Sequence, residues 1–156
     1  MIREIRDIQL AAFRLGDALF ALDIMRITEI IPTRRQSSLA SPARYLEGVI
    51  TLRGAVIPVM NMRKRFGLLP ADDETCAKLI LVRLARQILA LSVDDVLDVL
   101  TVPVDGLKPP PPADGCGSEC ILGLCLAGNS VYMVLDIDAL QGYADSLSDV
   151  ENEETA

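Results

Sequence analysis

An all-β fold built from two similar small barrels, with short helical turns, is predicted by three observations. Short apolar stretches separated by Gly, Pro or charged breaks run through the 156 residues, which is the rhythm of a sandwich or barrel. Several of these stretches come in pairs around a tight turn bearing glycine. One β-unit also occurs twice along the chain.

The elements follow in order. Ile8 to Leu15 is the first strand, and Gly16-Asp17 is a tight turn, since glycine takes the positive φ that hairpin turns need. Leu19 to Leu22 returns, Asp23 to Ile27 reads as a helical turn, and Thr28 to Ile31 runs extended into Pro32. The clearest hairpin is Val49 to Leu52, Arg53-Gly54, then Ala55 to Val59, where Pro58 lacks an N–H and is expected near a strand edge or end. Asn61 to Phe66 can form one helical turn, with Asn61 as N-cap and Gly67 as terminator. Leu79 to Leu84 and Ile88 to Val93 pair around Ala85-Arg86-Gln87, and Val96 to Val102 follows. Pro109 to Pro112 favours polyproline II and serves as a stiff connection or a polyproline ligand. Ile121 to Leu126, a Gly128-Asn129 turn and Val131 to Leu135 make the last hairpin, Asp136 to Tyr143 reads as a short helix, and the acidic tail 144–156 as disordered.

The repeat is legible residue by residue. Leu19–Ile24 aligns with Ile88–Val93 at an offset of 69, and at the same offset Ile27–Ile31 meets Val96–Leu100, aliphatic on aliphatic and Glu29 on Asp98. At an offset of 75, Gly48–Leu52 meets Gly123–Ala127 and Val56–Val59 meets Val131–Val134. The proline-rich stretch absorbs the change of offset. A duplicated barrel implies a groove between the copies, a preferred binding place.

Composition narrows the function. There is no His, which removes the Ser-His-Asp and Cys-His relays and the commonest metal ligand. There is no Trp and aromatics are 4%, a poor supply for nucleic-acid stacking. The net charge is −7, with +5 over residues 29–67, −7 over 68–143 and −5 over the tail. A basic segment beside an acidic one suits docking of charged protein surfaces; a nucleic-acid-binding double barrel is the other reading of the bases, set against the repulsion of phosphate by an acidic chain. Arg63-Lys64-Arg65 reads equally as a solvated face. No apolar run approaches a membrane span and the start lacks the features of a signal peptide, so no direct membrane insertion and a cytoplasmic location are expected.

Catalytic and metal sites are not expected, and no cofactor is called for. Asp94 and Asp95 are neighbours in an extended segment, point to opposite faces and read as turn residues. Cys116 and Cys120 have one zinc-like spacing but no second pair. Free thiols are the reading preferred over zinc or a redox switch, with Cys125 in a strand core. Gly48 and Gly54 are turn or close-approach positions.

The best-marked residues of the repeat carry a resemblance. Phe13-Arg14-Leu15-Gly16, Ile27-Thr28-Glu29-Ile30, Tyr45-Leu46-Glu47-Gly48-Val49-Ile50-Thr51-Leu52-Arg53-Gly54-Ala55-Val56-Ile57-Pro58-Val59 and, further on, Leu91-Ser92-Val93-Asp94-Asp95-Val96 and Leu135-Asp136-Ile137 resemble the CheW-like domain of bacterial chemotaxis over roughly residues 8–142. Two departures stand out: Thr51 where the family usually has Asn, and Asn61 where it usually has Asp. Asn61 keeps a capping oxygen and loses a charge, so a salt bridge there is expected to weaken.

The resemblance implies two SH3-like five-stranded β-barrels in a single domain over 8–142, divided approximately as 17–77 for the first barrel and 8–16 plus 78–142 for the second. It implies an adaptor, without enzymatic activity, that couples the cytoplasmic tip of methyl-accepting chemoreceptors to the regulatory domain of a CheA-type histidine kinase and is recruited to receptor arrays at the inner membrane. An adaptor of a pili or other non-flagellar chemosensory pathway is equally compatible. The resemblance places partner contacts at Arg53 and Gly54 on the hairpin tip, at Ile27, Glu29 and Ile30, and at their second-barrel counterparts Val96, Leu97 and Val99. Arg53 can offer its guanidinium to a partner or bond neighbouring loop groups and stiffen the hairpin. The aliphatic positions can line a groove for an amphipathic helix or be ordinary core.

Overall fold

A computed structural model describes residues 6–37, 45–69, 78–110 and 118–141. Among these residues ten strands form two five-stranded sheets: β1 Asp7–Leu15, β2 Ala18–Asp23, β3 Ile27–Pro32, β4 Leu46–Leu52, β5 Ala55–Asn61, β6 Lys78–Arg83, β7 Ile88–Val93, β8 Asp95–Pro103, β9 Ile121–Ala127 and β10 Ser130–Leu135. One sheet has the order β3-β6-β7-β5-β4 and the other β8-β1-β2-β10-β9. The single α-helical turn among the described residues is α1, Met62–Arg65, and a 3₁₀ turn at Ile137–Leu140 takes the equivalent place after β10. No helix among the described residues is long and apolar enough to cross a membrane.

The two sheets are copies in register as well as in order. Adding five to each strand number of the β1–β5 half, or subtracting it from the β6–β10 half, converts one sheet order into the other. The parallel pair Val59–Ala90 in the first sheet becomes Val134–Ala21 in the second. The antiparallel pair Gly48–Val59 becomes Gly123–Val134, and each has a bulge on its next partner, Leu46–Met60 and Ile121–Leu135. Each sheet closes in the same way. The chain leaving edge strand β3 pairs at Ser37 with Val49 of β4, and the chain leaving β8 pairs at Lys108 with Leu124 of β9. Closure forces a close backbone approach: a Cβ on Gly48 would sit 2.8 Å from the Ser37 carbonyl oxygen, and one on Gly123 would sit 2.7 Å from that of Lys108. Both positions therefore require glycine.

The expected division of the chain is corrected in one respect. The strand β2 belongs to the second barrel, and β6 and β7 belong to the first. A two-residue turn holds β2 to β1, with all six of its residues in register opposite that strand. The three-residue 3₁₀ turn Ile24–Arg26 then hands the chain to the other barrel. Each repeat thus lends its first hairpin to the other.

Three buried clusters form among the described residues. Ile50, Ile57, Val59, Leu79, Leu81 and Ala90 fill the first barrel, and Leu10, Ala21, Val102, Cys125 and Val134 fill the second. The largest lies where the barrels meet and draws on both, including Phe13, Phe20, Met60, Met62, Ile80 and Leu135. Phe20 stands 5.5 Å from Phe13 and 4.8 Å from Phe66, centroid to centroid.

Local expectations are mostly met. Asn61 caps α1 by accepting from the Lys64 N–H at 3.0 Å, and Gly67 takes a φ of 70° just beyond it. Asp23 caps the 3₁₀ turn at Ile24–Arg26. Cys125 lies buried in β9. Pro58 departs from expectation, being buried inside the interior strand β5. Its missing N–H is tolerated there. Its partner Val49 spends both backbone groups on Ser37, and the ladder to β7 starts only at Val59. Cys76, Cys116, Pro111, Pro112 and the acidic tail 144–156 lie outside the described residues.

Candidate functional site

The hairpin joining β4 and β5 turns on Arg53 and Gly54, with φ of 49° and 81°. A two-residue loop with positive φ at both positions matches the twist of the strands it joins, and Asn or Gly is the usual first residue. An arginine there is held in a region unfavourable for a side chain with a Cβ. The conformation aims the Arg53 side chain at β3. Its Nη1 and Nη2 donate to the two carboxylate oxygens of Glu29 at 2.7 and 3.1 Å, a two-point fork. The Arg53 donors hold the Glu29 carboxyl below the usual carboxylate range, and Glu29 raises the guanidinium in turn.

The pair spans the mouth of the first barrel. The groove it borders is lined by Thr28, Leu52, Ala55, Ile57, Leu81 and Ile88. Arg34 adds a second guanidinium on this rim, donating to the Thr51 carbonyl at 3.1 Å. Arg53 is 73% exposed, so the fork stands in solvent with its outer edge accessible.

The remaining predicted positions separate by exposure. Ile30 on β3 is 41% exposed and Val99 on β8 is 50% exposed. They are repeat mates, opposite Ile80 and Ala11 respectively. Leu97 is also exposed. Ile27 and Val96, again repeat mates, are half-buried against the cluster between the barrels. Gly54 sits at the tip and Gly48 at the closure described above.

Two charged residues have roles that the sequence reading missed. Arg65 is buried, so Arg63-Lys64-Arg65 is no solvated face; Lys64 alone is exposed. The Arg65 guanidinium lies 4.8 Å from the Tyr45 ring centroid, pairs with Glu119 and reaches Cys120 Sγ at 3.3 Å. The i, i+3 spacing from buried Met62 is the signal that puts Arg65 on the inward face of the turn. Burial raises the Cys120 thiol pKa despite the neighbouring guanidinium.

Asp94 is more than a turn residue. Its carboxylate is 4% exposed and accepts from the Gly16 N–H at 2.7 Å, from Arg63 Nε at 2.8 Å and from Arg63 Nη2. Burial pushes its pKa up, but the Arg63 and Gly16 donors and the Arg14 charge outweigh that and hold it below the usual range. The carboxylate ties the β1–β2 turn of one barrel to α1 of the other. Asp95 accepts from the Val96 N–H instead, so the two carboxylates do not share a site.

The sequence pattern of the CheW-like domain matches residues 9–143. The chain belongs to the CheW-like family. Among its relatives are the chemotaxis protein CheW of Treponema pallidum, 32% identical over 137 residues covering 85% of this chain and 81% of that one, and a probable chemotaxis protein CheW of Rhizobium etli, 37% identical over 141 residues covering 90% and 91%. The crystal structure of the scaffolding protein TtCheW from Thermoanaerobacter tengcongensis shares the fold, with a TM-score of 0.78 at 24% identity over 88% of this chain and 89% of that one. As a CheW-like protein, the chain is a chemotaxis adaptor or scaffold, and the two five-stranded barrels expected from the resemblance are its architecture.

Proposed function

We propose that this CheW-like chain couples the cytoplasmic tip of a chemoreceptor to the regulatory domain of a CheA-type histidine kinase by positioning the two, without chemistry of its own. It would work in the cytoplasm, recruited to receptor arrays. The observation that carries the reading is the exposed Arg53–Glu29 fork on the rim of the first barrel. A planar, permanently charged fork already half engaged can exchange or share its carboxylate with a partner's. Ile30, Leu97 and Val99 supply exposed apolar area on the two edge strands, suited to the apolar face of a partner helix. The partner roles of Arg53, Gly54, Ile27, Glu29, Ile30, Val96, Leu97 and Val99 belong to this proposal.

The test is a titration of the protein against an isolated CheA-type regulatory domain, with a receptor cytoplasmic fragment added second. Arg53→Glu is expected to weaken binding at least tenfold while thermal unfolding stays cooperative. The reversed pair Arg53→Glu with Glu29→Arg restores the intramolecular fork, so binding that stays weak assigns Arg53 to the interface. Binding recovered in full by the reversed pair would show that the fork serves only the hairpin, and absence of binding to every kinase and receptor tried would overturn the adaptor assignment to these partners.

A further inference from the structure

The exchange of hairpins between repeats poses a recognition problem. A duplicated chain has two ways to close its barrels: β1–β2 can complete the half containing β8–β10 or the half containing β3–β5. The strand registers of the two halves are equivalent, so backbone pairing alone separates the two closures poorly.

Charged residues just beyond the paired parallel strands do separate them. In the first barrel, β5 and β7 lie side by side, and the chain leaves them through Arg63 on α1 and Asp94 respectively. These two pair. In the second barrel, β10 and β2 lie side by side and lead to Asp138 and Arg26. These pair as well, Arg26 Nη2 reaching Asp138 Oδ1 at 2.7 Å. Arg63 and Asp138 are repeat mates at the offset of 75, and Arg26 lies one residue from the position equivalent to Asp94. The signs are inverted between the repeats. Each pair also touches the first hairpin of the opposite repeat's arrangement: Asp94 accepts from the Gly16 N–H in the β1–β2 turn, and Arg26 donates to the carbonyl of Arg83 at the end of β6 at 2.9 Å.

We infer that this inverted pair of ion contacts is a closure code, which selects the exchanged arrangement of hairpins over the unexchanged one. In the unexchanged closure β2 would lie beside β5 and β7 beside β10, bringing Arg26 against Arg63 and Asp94 against Asp138. Both contacts are then between like charges. The exchanged closure satisfies both pairs and the alternative satisfies neither, which is how like-charge juxtaposition excludes a wrong partner. The same code governs a second copy of the chain: a β1–β2 hairpin from one molecule is accepted only by the β8–β10 half of another.

The test uses the solvent-accessible pair, Arg26 being 30% and Asp138 72% exposed. Arg26→Asp with Asp138→Arg keeps both native contacts attractive. It also makes both unexchanged contacts attractive, because position 26 then opposes Arg63 with a negative charge and position 138 opposes Asp94 with a positive one. Arg26→Ala with Asp138→Ala deletes one native pair without rewarding the wrong closure. Refolding from urea is followed by stopped-flow and by the amide spectrum of the product. The expected result is that the reversed variant loses the single native spectrum to two sets of cross-peaks, or gains a slow refolding phase absent from both wild type and the alanine variant. One set of cross-peaks and refolding phases matching the alanine variant would overturn the proposal. So would a reversed variant that melts below the alanine variant, since the reversed side chains then would not act as a pair.

Discussion

Asp94→Asn tests the junction between the barrels. The wild-type carboxylate is 4% exposed and accepts three hydrogen bonds, two of them from Arg63 and one from Gly16. Asparagine offers one oxygen and an amide that donates, so one of the three donors must face another donor. Hydrogen bonds to a charged group contribute about 1.5–3 kcal/mol each. Breaking a fully buried pair costs about 3–5 kcal/mol, but Arg63 is 18% exposed and regains some water, which brings the expected loss to roughly 2–4 kcal/mol. At about 2–4 °C per kcal/mol for a chain of this size, Tm falls by about 4–16 °C at pH 7. The pH dependence fixes the cause. Because the folded pKa lies below the unfolded value of about 3.9, the contribution is fully present above that value and is lost as pH falls through the folded pKa. Thermal unfolding followed by circular dichroism at pH 7 and at steps below pH 4 is the assay. Wild type and variant converge in acid. A Tm difference under about 2 °C at pH 7, or one that stays constant down to pH 2, refutes the assignment of this stability to the ionised carboxylate.

Two further outcomes are expected. Gly48→Ala and Gly123→Ala each drive a Cβ into a backbone carbonyl and so displace a bridge of two backbone hydrogen bonds. Less the smaller entropy of the unfolded alanine chain, each should cost about 1–2 kcal/mol in urea unfolding, and clearly unequal costs would contradict the equivalence of the two closures. Cys120 and Cys125 are buried, and burial raises both thiols. A thiol reagent at pH 8 should therefore modify them only as fast as the protein opens, and rapid labelling of either in the native state, read by mass spectrometry, would refute that packing.

The repeat was readable because strand order, turn glycines and aliphatic spacing are local properties, and two offsets were enough to align them. The hairpin tip at Arg53-Gly54 and the cap at Asn61 were readable for the same reason. The partition of strands between barrels was not, because a hairpin with two apolar faces satisfies either half of a duplicated fold. Asp94 and Arg65 escaped for a related reason. A charged residue next to a turn is normally solvated, and only the approach of a distant element, the β1–β2 turn in one case and the segment at Glu119 and Cys120 in the other, makes burial with a partner favourable.

Composition, backbone preference and spacing along the chain settle the strands, the tight turns, the duplication and the absence of histidine chemistry. Three-dimensional closure settles which repeat completes which barrel, that Arg53 forks onto Glu29, and that Ile27 and Val96 are half-buried against the cluster between the barrels while Ile30, Leu97 and Val99 face outward. Those outcomes depend on contacts between residues tens of positions apart, whose energies exist only once closure has brought the strands together.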